Sequence, residues 1–170
     1  MKKLLTVLFC VLVLTLGLSA EKEKKEYKKV SITPDSIKGL SLKDLPKDVV
    51  GAAPNPGFSG NRVLCGTAVY FVMNDGYAYF LDYNTYLNLF RNWDNLKPYC
   101  DCSSNGNLAN AQLIRPEGMS AVYLLANGKT HFLSYDVFEC CQFNWDKVRN
   151  IPIQVFNIIP AGDDLKCTHL

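Results

Sequence analysis

An internal repeat constrains this sequence more than any other feature. The segment that starts at Ala68 returns at Ala121 with one residue fewer in a turn, and ten of 28 aligned positions are identical. The shared residues include a Val-Tyr pair, a turn glycine and an Asn-Trp-Asp triplet at residues 92–94 and 144–146. A unit with a period of 52 to 53 residues cannot cover its own apolar face, so we expect the two copies to pack together.

Each copy contains the signals of a β-hairpin followed by a helix. The second copy has an Asn-Gly turn between two β-rich runs, which favours a two-residue turn with positive φ at both positions. The first copy has Asn-Asp-Gly, which suits a three-residue loop that a glycine bulge closes. Asp82 and Ser134 stand where a helix N-cap is expected, each before apolar residues at helical spacing. The β-rich runs cover residues 69–73 and 77–81, and residues 122–126 and 129–133.

This order of elements predicts an α+β fold with more strand than helix. Each unit should consist of a strand, a hairpin, a second strand, a helix, an Asn-Trp-Asp corner and a short apolar return strand, at residues 95–99 or 148–156. The copies cover about residues 62–108 and 111–165. We expect them to pack as one disulfide-stabilised domain over residues 62–170.

The N-terminal residues have the order of a secretory signal peptide. Lys2 and Lys3 precede an apolar run over residues 4–16, and small residues follow, so residues 1–20 are predicted to be cleaved off after Ala20. A membrane anchor is the alternative, although thirteen apolar residues are fewer than the roughly 20 that a helical span needs. Residues 21–61 are rich in charge, proline and glycine and are predicted to form a spacer. The mature chain is therefore expected to be secreted, without membrane attachment after cleavage.

Six cysteines remain after the predicted cleavage, and an even number in a small exported chain favours three disulfides. Cysteines as close in sequence as Cys100 and Cys102, or as Cys140 and Cys141, are strained partners, so each couple is expected to pair outward. Zinc ligation, the alternative, usually involves histidine, and the chain has only His131 and His169. Connectivity stays open among the predicted disulfide residues Cys65, Cys100, Cys102, Cys140, Cys141 and Cys167.

Charge and motifs exclude several classes of function. The formal net charge is +2, and removal of Lys2 and Lys3 leaves the mature chain close to neutral, which argues against a nucleic-acid surface. The sequence has no nucleophile elbow, no His-Glu-x-x-His zinc motif and no phosphate-binding glycine loop. We therefore expect a noncatalytic protein without a metal or a cofactor.

The two Asn-Trp-Asp corners have a structural and a functional interpretation. The structural one assigns Trp93 and Trp145 to the junction between helix and return strand, with Asp94 and Asp146 capping a turn. The functional one makes the tryptophans stacking platforms for sugar rings. Because both copies retain the triplet in the same framework, we predict that these four residues belong to the structural core.

The copies differ most on one face of the second hairpin strand. This face carries Tyr77 and Tyr79 in the first copy, and Lys129 and His131 in the second. Aromatic and polar side chains together suit a carbohydrate or a peptide, so these four are the candidate ligand-binding residues. The alternative is an ordinary half-exposed strand, where tyrosine is common. The opposite face is expected to point to the core and carries Ala78, Phe80, Thr130 and Phe132.

The second copy resembles a short accessory repeat that occurs, often in tandem, in exported and wall-associated bacterial proteins. The match covers about 55 residues and rests on Val122-Tyr123, Gly128-Lys129, Phe138, Trp145 and an Ile159-Pro160-x-Gly162 close. This resemblance implies an extracellular, noncatalytic attachment module. The cysteine pair at 140 and 141 departs from the pattern, where small or apolar residues are usual.

The sequence thus predicts a secreted, noncatalytic binding or surface-attachment module with a surface glycan as its favoured partner. The alternative is a secreted protein that uses the hairpin face to recognise another extracellular protein, as an inhibitor or a structural component.

Overall fold

The computed structural model describes residues 53–97 and 104–168. The predicted signal peptide, residues 21–52 of the predicted spacer, Cys100 and Cys102 lie outside the described residues.

The first of two four-stranded sheets belongs to the first half of the molecule, residues 53–97 and 104–107. It contains β1 (Arg62–Cys65), β2 (Ala68–Val72), β3 (Ala78–Leu81) and β4 (Ser104–Asn107), in that spatial order. The first three strands form antiparallel pairs, whereas β4 lies parallel to β3. The sequence did not indicate β4, because Ser-Asn-Gly-Asn has low strand propensity.

The second sheet belongs to the second half, residues 108–168. It contains β5 (Gln112–Pro116), β6 (Val122–Ala126), β7 (Lys129–Leu133) and β8 (Arg149–Ile151), in the spatial order β7-β6-β5-β8. β8 returns parallel to β5, and the other two pairs are antiparallel.

Three short α-helices accompany the sheets in the described part of the chain: α1 (Tyr83–Leu89), α2 (Tyr135–Cys140) and α3 (Ile153–Asn157). Both predicted N-caps are confirmed, because Asp82 accepts a hydrogen bond from the Thr85 amide and Ser134 accepts one from the Val137 amide. The α+β class is confirmed as well. The predicted return strand over 148–156 is wrong beyond residue 151, where Pro152 ends the pairing and α3 begins. No helix within the described part of the chain is long and apolar enough to span a membrane.

Both hairpin turns have the predicted geometry. Asn127 and Gly128 have φ values of 51° and 72°, as a two-residue turn with two left-handed positions requires. In the longer turn, Gly76 has a φ of 78°, and its amide donates to the Met73 carbonyl at 2.9 Å. A Cβ on Gly76 would lie 2.5 Å from the Pro56 nitrogen, because the segment before β1 passes directly over this turn.

The two halves share one hydrophobic cluster. Leu81 and Leu133 contribute to it from β3 and β7, and α1 of the first half contacts β5 of the second. At its centre, Phe90 and Phe143 stack with ring centroids 5.2 Å apart. Full burial of a side chain such as Phe143 contributes about 3 kcal/mol to stability.

The core face predicted for the second hairpin strand is confirmed only in part. The shared cluster contains Tyr79 and Leu81, whereas Ala78 and Phe80 belong to a separate, smaller cluster on the other face of the first sheet. Both faces of β3 are buried, so the apolar alternation of the strand does not distinguish them. In the second half, Leu133 and not Phe132 reaches the shared cluster.

The contact between the halves pairs the segments that follow α1 and α2. Phe90 and Phe143 form an antiparallel bridge in which the Arg91 amide donates to the Gln142 carbonyl at 3.1 Å. The Asn144 amide donates to the Leu89 carbonyl at 2.9 Å. The halves are therefore joined by backbone hydrogen bonds as well as by apolar packing.

A disulfide between Cys140 and Cys167 fastens the C-terminal tail to α2. It closes a 27-residue separation and contributes about 3 kcal/mol by restricting the unfolded chain. The prediction that Cys141 forms a disulfide is wrong, because this residue is a buried thiol. Burial raises the pKa of the Cys141 thiol to about 12, so the thiol stays protonated at neutral pH.

Candidate functional site

A polar cleft lies where the two hairpins and the C-terminal tail meet, and we call it the hairpin cleft. Its volume is about 320 Å³. Three of the four predicted ligand-binding residues, Tyr79, Lys129 and His131, line it, whereas Tyr77 does not. The remaining lining residues are Met73, Asn74, Asp75, Asn127 and Asp163.

Tyr79 forms a fixed wall of the hairpin cleft. Its hydroxyl donates to Asp75 Oδ2 at 2.7 Å and accepts a hydrogen bond from Asn105 Nδ2 at 3.2 Å. Burial, together with the hydrogen bond to Asp75, raises the pKa of Tyr79 to about 12. The other carboxylate oxygen of Asp75 accepts from the Tyr77 amide at 3.0 Å. Tyr79 and Asp75 therefore give the cleft its shape, while their side-chain oxygens already form hydrogen bonds within the protein.

Asn74 fastens the tail to the first hairpin. Its Nδ2 donates to the Asp164 carbonyl at 2.6 Å, and its Oδ1 accepts from the Lys166 amide at 2.9 Å. Both ends of the side-chain amide are used, so Asn74 positions the tail beside the cleft.

His131 presents one ring nitrogen as a hydrogen-bond acceptor. Its Nδ1 lies 2.8 Å from the carbonyl oxygen of Asp163. A carbonyl only accepts, so the proton of the neutral ring sits on Nδ1, and Nε2 is the acceptor. The ring lies against Gly162, where a Cβ would come within 2.5 Å of His131 Cε1. The glycine of the Ile-Pro-x-Gly close thus makes room for the imidazole.

The second half also supplies the charged groups that are accessible in the hairpin cleft. Lys129 and Asp163 are exposed, and neither side chain has a hydrogen-bond or ion-pair partner within residues 53–97 and 104–168. An ammonium group, a carboxylate and the Nε2 of His131 therefore remain available to a ligand. The first half contributes the engaged groups of Tyr79, Asp75 and Asn74.

Sequence reasoning missed the turn and tail residues of this cleft. Asp75 and Asn127 were predicted only to form the hairpin turns, and Asp163 had no predicted role. For Asp75 and Asn127 the available signal was their place in the two turns, because the turns of neighbouring hairpins can lie close together. The described residues contain no group of three histidine, cysteine or acidic side chains that could hold a metal ion.

Both Asn-Trp-Asp corners stack tryptophan on a helix aromatic. The ring centroids of Trp93 and Tyr86 are 3.7 Å apart with an angle of 12° between the ring planes. The centroids of Trp145 and Phe138 are also 3.7 Å apart, with an angle of 21° between the planes. Trp93 packs against the shared core. Trp145 is 44% exposed, and its indole nitrogen donates to Glu139 at 2.8 Å.

The prediction that Asp94 and Asp146 belong to the structural core is wrong, because both side chains are exposed. The turn is capped by asparagine instead. Asn92 Oδ1 accepts from the Asp94 amide at 3.2 Å, and Asn144 Oδ1 accepts from the Asp146 amide at 3.0 Å. An asparagine side chain reaches the amide two residues later, which leaves the aspartate side chain pointing outward.

Comparison of the chain with protein-family models, with curated proteins and with solved structures finds no match. The resemblance to the bacterial accessory repeats therefore stays a prediction.

Proposed function

We propose that this protein is a secreted, noncatalytic binding module whose hairpin cleft holds a hydroxyl-rich ligand, with a surface glycan as the favoured class. The observation that carries the proposal is the convergence of Lys129, His131 and Asp163 beside the fixed Tyr79 wall. Lys129 and His131 come from β7, Asp163 from the C-terminal tail, and Tyr79 from β3.

The chemistry of the hairpin cleft complements a sugar. Each sugar hydroxyl both donates and accepts, and the cleft offers an ammonium donor, an imidazole acceptor and a carboxylate acceptor. The ring of Tyr79 and the side chain of Met73 add apolar surface. A volume of about 320 Å³ lies at the small end of the roughly 300–1,000 Å³ typical of ligand pockets, which suits one or two sugar rings.

The hydrogen bonds of the hairpin cleft favour binding over catalysis. The Asp75 carboxylate is engaged by Tyr79 and by a backbone amide, so it is not a free nucleophile or base. His131 is oriented by a carbonyl and not by a carboxylate, which would stabilise an imidazolium in a general base.

We also propose that the halves are a duplicated unit packed about a pseudo-twofold axis. The antiparallel bridge between Phe90 and Phe143 supports this, because it joins segments that follow equivalent helices in the repeat. The Cys140–Cys167 disulfide supports secretion, since such bonds persist mainly in oxidising compartments.

A protein partner is the second candidate. Ile158 and Val155, at the outer end of α3, are 81% and 45% exposed. Adjacent exposed aliphatic side chains are typical of a surface that contacts another protein.

The glycan proposal is tested by retention of the purified, disulfide-bonded chain on a polysaccharide panel, followed by calorimetry with the retained glycan. Lys129→Ala and His131→Ala should each weaken binding about tenfold, a change of about 1.4 kcal/mol, because each removes one accessible polar contact. Lys147→Ala, an exposed lysine at the second corner, is the charge-matched control. Tyr77→Phe is the aromatic control, since Tyr77 does not line the cleft.

If the Lys129 and His131 variants bind the glycan as tightly as the wild type does, the glycan binds elsewhere and the hairpin cleft is not its site. Retention of a defined protein, with no glycan retained, would reject the glycan proposal in favour of the second candidate.

A further inference from the structure

Arg62 is a buried cation without a carboxylate partner. Its side chain is 4% exposed, and it donates from Nη1 to the Tyr86 hydroxyl and the Asn92 carbonyl, both at 2.6 Å. From Nη2 it donates to the Asp94 carbonyl at 2.6 Å and to the Gln142 side-chain oxygen. All four acceptors are neutral. Within the described residues the one ion pair is Arg91–Glu139, so the charge of Arg62 is not balanced by a salt bridge.

The second half carries no charge at the equivalent position. Arg62 pairs with Phe71 across β1 and β2, and Leu113 pairs with Leu124 across β5 and β6 in the same register. Leu113 is fully buried. The partner Tyr86 corresponds likewise to Phe138. A Leu-Phe pair thus occupies the place of the Arg-Tyr pair, and burial of an unbalanced cation is costly in comparison.

A cavity of about 390 Å³, which we call the Arg62 cavity, adjoins this cation at the seam between the halves. Lys97 lines it and is exposed, which adds a second positive charge. Glu139 also lines it, but its carboxylate is held by Arg91 and by the Trp145 indole, both at 2.8 Å. The Asp94 carboxylate acts on Arg62 at longer range, is exposed, and does not line the cavity. The accessible charge around the cavity is therefore positive.

Asn61 forms a buried part of the wall of the Arg62 cavity. It is 2% exposed, and its Nδ2 donates to the Phe58 carbonyl at 2.8 Å. Its Oδ1 is sealed from solvent, so Asn61 shapes the wall and does not select a donor on a ligand.

We propose that the Arg62 cavity binds a small organic acid through its carboxylate. The carboxylate is attracted by Lys97 and by the field of Arg62. Inorganic anions are too small to fill a cavity of about 390 Å³. Burial lowers the pKa of Arg62, although the guanidinium remains charged at neutral pH and a nearby anion would favour that charged form. This site is separate from the hairpin cleft and does not depend on the glycan proposal.

The test is calorimetry on the full, disulfide-bonded chain with D-glucuronate, L-lactate, D-glucose and inorganic phosphate at millimolar concentration. Glucuronate and glucose differ in a carboxylate, so glucuronate should bind in the Arg62 cavity and glucose should not bind there. Lys97→Ala, an exposed substitution, should weaken glucuronate binding several-fold. The double variant R62L/Y86F places in the first half the residues that Leu113 and Phe138 provide in the second. It should abolish glucuronate binding, and circular dichroism checks that it is folded.

Three results would overturn the proposal. If Lys97→Ala and folded R62L/Y86F both bind glucuronate as tightly as the wild type does, the anion binds elsewhere. Absence of binding by both glucuronate and lactate would leave Arg62 as a structural clamp between the halves. Phosphate binding as tight as glucuronate binding would indicate a general anion site. Lys129→Ala should leave glucuronate binding unchanged, which separates this site from the hairpin cleft.

Discussion

The corners of the two halves reach the same aromatic stack by different hydrogen bonding. In the second half, residues Trp145–Lys147 form a 3-10 helix, and the Asn144 carbonyl accepts from the Lys147 amide at 3.1 Å. In the first half, the corresponding carbonyl of Asn92 accepts from Arg62 and from the Tyr86 hydroxyl. In the second half the corner carbonyl is hydrogen-bonded by a backbone amide, so the apolar pair of Leu113 and Phe138 suffices. In the first half the corner carbonyls accept from side chains, so Arg62 and Tyr86 are needed as donors.

A second contrast concerns the sheets. All residues of β1, β2 and β3 are buried, whereas β6 alternates between buried and half-buried residues. The second half, whose strand β6 alternates in burial, presents accessible polar groups to the hairpin cleft. The first half, whose strands β1 to β3 are buried on both faces, presents Tyr79 as a fixed wall. The two halves thus differ in which of them offers accessible polar groups to the hairpin cleft.

The largest expected effect comes from breaking the polar corner. Arg62→Ala should destabilise the protein by about 4 kcal/mol, because the Tyr86 hydroxyl, two carbonyls and Gln142 lose their donor. R62L/Y86F should cost only about half as much, since it restores apolar packing and removes the buried hydroxyl. Urea unfolding measures both. An Arg62→Ala loss no greater than that of the double variant would show that Arg62 contributes only volume.

A smaller effect is expected from comparing the two hairpin turns. Gly76→Ala should cost about 3 kcal/mol, because it combines a left-handed φ with a Cβ 2.5 Å from the Pro56 nitrogen. Gly128→Ala is the matched control: it has a φ of 72° but nothing within 4 Å of the added Cβ, so about 1 kcal/mol is expected. Thermal unfolding gives both values. Equal losses would mean that the segment before β1 does not pack on the first turn.

The smallest effect concerns the exposed ion pair between the halves. Arg91 and Glu139 are 2.8 Å apart with side chains 39% and 31% exposed, so a double-mutant cycle should give about 0.5 kcal/mol. High salt should reduce this coupling. A coupling above about 2 kcal/mol would show that the pair is a main link between the halves.

The same pair should show a defined dependence on pH. Hydrogen bonds from Trp145 and then Arg91 lower the pKa of Glu139 from its ordinary value of 4.5. A carboxyl group with a lowered folded-state pKa stabilises the fold above the unfolded value, and this stabilisation is lost as pH falls through the lowered pKa. Unfolding from pH 7 to pH 3 should therefore show a smaller loss of stability in Glu139→Gln than in the wild type.

Prediction from sequence succeeded where the determinants are local. Turn glycines and asparagines select the hairpin geometry, and a capping side chain needs only the next turn of helix, so the turns and caps were correct. Tyr79, Lys129 and His131, singled out because the copies differ there, do line one cleft, and their binding of a ligand stays a prediction. The face of β3 that joins the shared cluster was not predicted, since a strand buried on both faces carries no alternation. The cap at the corners was assigned to aspartate in place of asparagine, because both residues form such turns.

The sequence alone determined the α+β class, the two hairpins, the helix caps and the candidate face, because these depend on residues within one or two turns of chain. Tertiary structure decided how the halves meet, which cysteine joins Cys167, and which groups surround Arg62. Those contacts link residues far apart in sequence, such as Arg62 and Gln142 or Asn74 and Asp164. Their formation depends on the packing of both sheets around one core, and no short segment encodes that packing by itself.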